Sequence, residues 1–156
     1  VIRIPEPTFS LISLNEQARS VYSLTSIECR QRNIELSLSL TDNDQYIHVD
    51  GIQFEQVLVN IIKNAYEAIG ENGRIKISTH HSPLSIIIED NGPGISEEAK
   101  QKLFTPFFTT KSSGQGIGLM FVREVLTNHR CRFSLSTEEG YTRFKIFFPT
   151  ADGTYS

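Results

Sequence analysis

The feature that most constrains this chain is the passage from Ile86-Ile87-Ile88 into Glu89-Asp90-Asn91-Gly92-Pro93-Gly94-Ile95. Three successive β-branched residues favour a buried strand. A strand that ends in Asp and turns at once through Gly-x-Gly sets a carboxylate at the mouth of a core. Gly92 and Gly94 carry no Cβ, so the backbone can pass close to a flat ligand. An ionised carboxylate only accepts hydrogen bonds, so Asp90 suits an exocyclic amine such as that of adenine. Guanine presents a carbonyl at the equivalent ring position and is repelled. The same residues also fit a plain strand and a tight Gly-Pro-Gly turn, with Asp90 as turn former.

The length of 156 residues fits one domain with a sizeable core. A hydrophobic content of 38% and a charged content of 21% exclude a disordered chain. The net charge of −3 leaves no electrostatic footprint for nucleic acid, so an anionic ligand must be held by local groups. Cys29 and Cys131 are far apart and lack metal-ligand spacing, which argues against a disulfide framework or zinc site and fits a reducing compartment. No run reaches the roughly 18 apolar residues of a membrane helix. The first residue is Val1, so the chain is expected to be a piece of something longer.

Pro5 and Pro7 make residues 1–10 extended, an edge or linker. Apolar residues from Leu11 to Cys29 fall on one broad stripe, predicting a helix over Leu11 to Arg32. Ile34 to Leu40 alternates with period two, and Tyr46 to Val49 returns as a strand, so the two are expected to form a hairpin. Asp50 caps a helix running to about Ile69 and stopped by Glu71-Asn72-Gly73. Arg74 to His80 and Leu84 to Asp90 form a second hairpin around Ser82-Pro83, and Ser96-Glu97-Glu98 opens a short helix. Residues 106–114 read as a mobile, polar cover. A helix from about Gln115 to His129 and a hairpin of Arg132 to Thr137 with Thr142 to Phe148 complete the chain. Helices alternating with hairpins predict an α+β sandwich, a mixed sheet with helices on one face.

Within the second helix, Val57, Leu58, Ile61, Ala65 and Ile69 form the core stripe, while Asn60, Lys63, Asn64 and Glu67 share the adjacent one. Asparagine is a poor helix former, so two of them one turn apart need a reason. An amide carbonyl with phosphate oxygens would satisfy Mg²⁺, although both amides could instead bond neighbouring backbone. Gly114-Gln115-Gly116-Ile117-Gly118-Leu119 stands directly before a helix, where bare N–H groups and the macrodipole favour an anion. It is neither a P-loop nor part of a dinucleotide-binding βαβ unit, and alone it reads equally as a flexible linker. Between the glycine motifs lie Phe104, Phe107 and Phe108, followed by Thr109, Thr110 and Lys111, as at the hinge of a cover.

Taken in order, these motifs resemble the ATP-binding catalytic domain of sensor histidine kinases. That family belongs to the GHKL superfamily, with DNA gyrase, heat-shock chaperone ATPases and mismatch-repair ATPases. The N box is similar to Asn60 to Ala68, and the first glycine box to Asp90-x-Gly92-x-Gly94. The F box matches Phe104-x-x-Phe107-Phe108, and the second glycine box matches Gly114-x-Gly116-x-Gly118-Leu119. Asn60-Ile61-Ile62-Lys63-Asn64-Ala65 and Pro106 to Lys111 look most like the nitrogen-regulation type. The resemblance implies a Bergerat-type two-layer sandwich, a sheet of about five or more strands with three main helices on one face and a mobile ATP lid. It implies one catalytic domain over 1–156, with 1–10 as linker and 96–114 as lid.

By that likeness ATP and Mg²⁺ are the cofactors. Asn64 holds the metal, with Asn60 and Lys63 beside the phosphates. Asp90 receives the adenine amine, while Gly92, Gly94 and Ile95 shape the base pocket. Phe108, Thr110 and Lys111 belong to the lid, and Gly114, Gln115, Gly116, Ile117, Gly118 and Leu119 to the phosphate cradle. The sequence departs from the family at Gln115, at Met120 and at Asn128-His129-Arg130, which are read as lying at or just after the phosphate loop.

ATPase members of the superfamily resemble one another in placing a Glu one turn before the metal Asn. Here that position is Asn60, which cannot take a proton from water. The resemblance therefore implies a protein histidine kinase rather than the alternative, an ATP-hydrolysing or chaperone-like module. None of His48, His80, His81 and His129 sits in a phosphoacceptor context, so the dimerisation and phosphoacceptor helices are expected upstream of Val1. Those helices and, through the full-length protein, a response regulator receiver domain are the implied partners. The implied states are a monomeric fragment of a homodimeric parent, cytoplasmic or anchored in the inner membrane.

Overall fold

The structure, a computed structural model, describes residues 4–104 and 115–150, apart from the side chains of residues 102 and 115–117. The chain order is β1 (Ser10–Ser13), α1 (Leu14–Gln31), β2 (Ile34–Ser39), β3 (Tyr46–Val49), α2 (Gly51–Ile69), β4 (Gly73–His81) and β5 (Leu84–Asp90). It continues with α3 (Glu97–Phe104), α4 (Gln115–Asn128), β6 (Arg132–Glu138) and β7 (Tyr141–Phe147). Five strands form one mixed sheet in the order β2-β4-β5-β7-β6, in which β2 runs parallel to β4 and the other pairs are antiparallel. Helices α1, α2 and α4 close the core over one face of this sheet, and Val21, Leu58, Ile62 and Val125 share one buried cluster with Ile75, Ile77, Ile86 and Ile146. The α+β sandwich expected from the alternation of elements is present.

Two expectations need correction. The first helix begins at Leu14, not Leu11. Ser13 accepts a hydrogen bond from the Glu16 N–H at 3.1 Å. Ser13-Leu14-Asn15-Glu16 is the Ser-x-x-Glu pattern of a capping box. Residues 10–13 are thereby left extended and form β1. The second correction is that β2 and β3 do not pair. Strand β3 joins β1 in a separate two-stranded sheet, with Ile12 opposite Ile47. The connection 40–45 is too long for a tight hairpin and is tied to the start of α1 instead. Asp44 accepts from the Ser13 hydroxyl and, at 3.0 Å, from the Asn15 N–H. Asn15 donates to the Thr41 carbonyl at 2.9 Å and accepts from the Thr79 hydroxyl at 2.6 Å. Asn15 and Thr79 are buried while Asp44 is exposed, so the network ties the loop to a buried polar anchor and fixes its path.

Helix α2 is the longest element and is capped at both ends. The Asp50 carboxylate accepts from the N–H groups of Ile52 and Gln53 at 3.1 Å each. At the far end Gly70, rather than Glu71 to Gly73, makes the stop, with φ 80°. Arg32 adds its guanidinium to the carbonyls of Tyr66 and Gly70 at 3.4 and 3.3 Å and lies 4.7 Å from the centre of the Tyr66 ring.

His129 closes the other end of the helical layer. Its Nε2 accepts from the Asp50 N–H at 3.0 Å, which leaves Nδ1 to donate to the Val125 carbonyl at 2.8 Å. Burial lowers its pKa below the ordinary 6.5, against the raising influence of the Val125 bond and Asp50. A depressed histidine contributes stability that is present above 6.5 and is lost as pH falls through the folded-state value. The melting temperature should therefore fall as pH drops below 6.5, and His129→Gln should flatten that decline. An equally steep loss in the variant would show that another group causes it.

Candidate functional site

A cavity of about 380 Å³ opens between α2, the start of α3, Leu119 of α4 and strands β5, β6 and β7. Strand β5 carries Asp90 into it as its last residue, because even-numbered residues from Ile86 to Asp90 face the helices. Asp90 is 9% exposed. Burial pushes its carboxyl above the ordinary 3.8, opposed by the Gly92 N–H that donates to Oδ1 at 2.8 Å and assisted by the neighbouring Glu89.

The turn after β5 depends on its two glycines. Gly94 has φ 89°, where other L-residues are strained. A Cβ on Gly92 would meet Ile69 Cγ1 at 2.9 Å and Asp90 Oδ1 at 3.0 Å, so a side chain there would displace the carboxylate. Gly94 and Ile95 then wall the cavity. Ser96 accepts from the Ala99 N–H at 3.1 Å and starts α3, which buries Ala99 and Leu103.

Helix α2 supplies Ile61, Asn64, Ala65, Glu67 and Ala68 to the opposite wall. The Asn64 Nδ2 is buried without a hydrogen-bond partner among the described residues, a cost of about 1–3 kcal/mol unless something else fills the role. Asn60 turns its Nδ2 back to the Gln56 carbonyl at 2.9 Å, and a Cβ on Gly118 would come within 2.8 Å of its Oδ1. Asn60 and Gly118 therefore meet at the edge of the cavity, beside Leu119, which lines it. Lys63 is exposed and does not line the cavity.

Phe108, Thr110, Lys111 and Gly114 lie outside the described residues, as do the cover at 106–114 and the side chains of Gln115, Gly116 and Ile117. Of the F box, Phe104 is 44% exposed and stacks on Phe133 at 5.6 Å. The segment Asn128-His129-Arg130 is not beside the phosphate cradle. Eleven helical steps from Gly118 to His129 carry it about 16 Å away, to the N-cap of α2.

Thr142, Phe144 and Leu135 complete the cavity and were not singled out in the sequence. Thr142 stands directly opposite Asp90 in the β5–β7 register, with its hydroxyl 3.4 Å from that of Thr137. Local pattern marked these residues as strand. Only the register, set across some fifty residues, brings them to the carboxylate.

A family model for histidine kinase-, DNA gyrase B- and HSP90-like ATPases matches residues 49–152. The nucleotide-free catalytic domain of the histidine kinase ThkA superimposes with a TM-score of 0.78 at 35% identity, covering 91% of this chain and 95% of that one. The chain belongs to the histidine kinase catalytic domains. Among curated proteins it is similar to sensor protein TdiS of Thauera aromatica, at 32% identity over 146 residues, 88% of this chain and 27% of TdiS. It is also similar to sensor histidine kinase ZraS of Escherichia coli K12, at 30% identity over 155 residues, 96% of this chain and 33% of ZraS. The chain thus spans a third or less of the length of these two relatives.

A histidine kinase catalytic domain must seat ATP, and the cavity fits its adenine end. Asp90 offers an acceptor at the base, and Ile61, Ala65, Leu119 and Phe144 offer apolar surface to a ring. The unpartnered Asn64 Nδ2 lies on the wall of the same concavity, and the close approach at Gly92 positions the Asp90 carboxylate that enters it. Among the described residues, no helix is long and apolar enough to cross a membrane.

Proposed function

We propose that this chain holds Mg-ATP for transfer of the γ-phosphoryl group to a histidine outside it, as the catalytic domain of a two-component sensor kinase of the nitrogen-regulation type. The observation that carries this reading is the pairing of Asp90 at the cavity base with Asn64 on its wall, while Asn60 stands where hydrolysis would need a base. An amide bonded to its own helix cannot activate water, so the terminal phosphoryl group awaits a better nucleophile.

Among the described residues, no three His, Cys, Asp or Glu side chains gather to hold a metal ion. The set that remains, the Asn64 amide oxygen together with the nucleotide's own oxygens, is one magnesium accepts, with the orphaned Nδ2 left to donate to a ligand oxygen. Bound there, the ion would neutralise phosphate charge during transfer. Asp90 fixes the base, the apolar walls exclude water from it, and the N-terminal end of α4 beside Gly118 faces the phosphates.

The proposed partners are dimerisation and phosphoacceptor helices belonging to the same parent, and a response regulator receiver domain. A structure of ThkA with the response regulator TrrA contains a domain similar to this one, at 33% identity and a TM-score of 0.68 over 88% of this chain and 40% of that one. The parent is proposed to act in the cytoplasm as a homodimer.

The test is incubation of the parent protein with γ-labelled ATP. Acid-labile, alkali-stable label on a histidine, with little free phosphate released, is the expected result. Steady phosphate release with no labelled protein would support the ATPase reading instead.

A further inference from the structure

Glu67 lines the cavity from α2, one turn beyond Asn64, and is exposed. Among the described residues it forms no hydrogen bond or ion pair, not even with Lys63 one turn earlier. The charged side chains on the described cavity wall are Asp90 and Glu67, both acidic. An acidic rim facing a triphosphate would repel it. Its usefulness depends on which part of a nucleotide lies opposite.

Helix α2 measures that position. At its C-terminal end Ile69 packs against Gly92, whose neighbour is the Asp90 carboxylate. At the other end Asn60 meets Gly118, where the phosphate cradle begins. The nine helical steps from Asn60 to Ile69 span about 13–14 Å, comparable to a nucleotide from base to terminal phosphate. Helical side chains lean toward the N-terminus, so Glu67 projects over the stretch between Asp90 and Asn64. In a nucleotide laid with its base at Asp90 and its phosphates toward Asn60, the sugar falls in that stretch. Its vicinal hydroxyls are donors, and a carboxylate can accept from both with charge-assisted bonds.

We propose that Glu67 accepts hydrogen bonds from the ribose hydroxyls and makes the site select ribonucleotides over deoxyribonucleotides. This rests on the reading of the cavity as an adenine-nucleotide site. Calorimetric titration of the whole chain with ADP, 2′-deoxy-ADP and 3′-deoxy-ADP, all without magnesium, tests it. The native chain should bind ADP more tightly than at least one deoxy analogue by about 3- to 30-fold. In Glu67→Ala the three ligands should bind within about twofold of one another, with unchanged thermal unfolding, since the side chain is exposed. Glu67→Gln should fall between the two, because its amide oxygen still accepts. Equal binding of all three ligands by the native chain would overturn the proposal. Discrimination that survives in Glu67→Ala would overturn it too. Failure to bind ADP at all would overturn the nucleotide reading itself, so the two failures are distinguishable.

Discussion

Replacing Asp90 with asparagine should cost most of the affinity for adenine nucleotides while leaving the domain at least as stable as before. The Gly92 N–H holds Oδ1 in place, and an asparagine carbonyl can accept that bond equally well. The other branch then becomes an NH₂ group that faces the adenine amine, donor against donor. Losing a charge-assisted acceptor costs about 1.5–3 kcal/mol, roughly 10- to 150-fold in affinity. The stability effect has the opposite sign. Burial raises the folded-state pKa of Asp90 above 3.8, so its favourable contribution is present in acid and lost as pH rises through the folded value. At neutral pH the buried carboxylate is a burden on the fold, retained for what it binds, and asparagine removes the charge. Calorimetry with a non-hydrolysable ATP analogue and thermal unfolding near pH 7 test both halves. Unchanged affinity would show that the base does not sit on Asp90, and a lowered melting temperature would contradict the account of its burial. Acidification should weaken binding in the native chain as the carboxyl protonates, with no comparable change in the variant.

The largest expected loss of stability is from Phe54→Ala. Phe54 is fully buried at the start of α2, with ring centres 5.2 Å from Phe148 and 6.3 Å from His129. It joins the helical layer to the end of the sheet and to the His129–Asp50 bond. Removing such a ring leaves a cavity and costs about 3–5 kcal/mol, a large part of the roughly 5–15 kcal/mol typical of a whole domain. Urea unfolding should show a much lower midpoint, with Ile52→Ala as control. Ile52 lies two residues earlier and is 74% exposed, so its truncation should stay within about 0.5 kcal/mol of the native value. A Phe54→Ala loss below about 1 kcal/mol would mean that the site collapses around the gap and that this end of the core is loosely packed.

The sequence was most legible where local pattern and cap agreed. Asp50, the core stripe of α2 and the strand ending at Asp90 all stand where periodicity put them, because each signal is complete within a few residues. It was misleading at Leu11 to Ser13, where apolar residues extend the helical stripe but the Ser13 capping box ends it. It was misleading again at β2 and β3, whose alternation cannot say which strand each will join. That choice was made by Asn15 and Thr79, buried groups that leave water only when they can bond one another, and by their bonds to Thr41 and the exposed Asp44, far from both in the chain.

The sequence alone determined the chemistry available to this protein: a carboxylate that only accepts, an amide where hydrolysis would want a base, and glycines where backbone must come close. The tertiary structure decided which of these meet. Strand register set Thr142 across from Asp90, and the packing of α4 on α2 brought Gly118 to Asn60. It also left Lys63 outside the cavity and Glu67 on its wall, although the two lie one turn apart on the same helix. A helical stripe specifies the face a residue occupies. Only the elements packed against the helix specify how much of that face becomes a site.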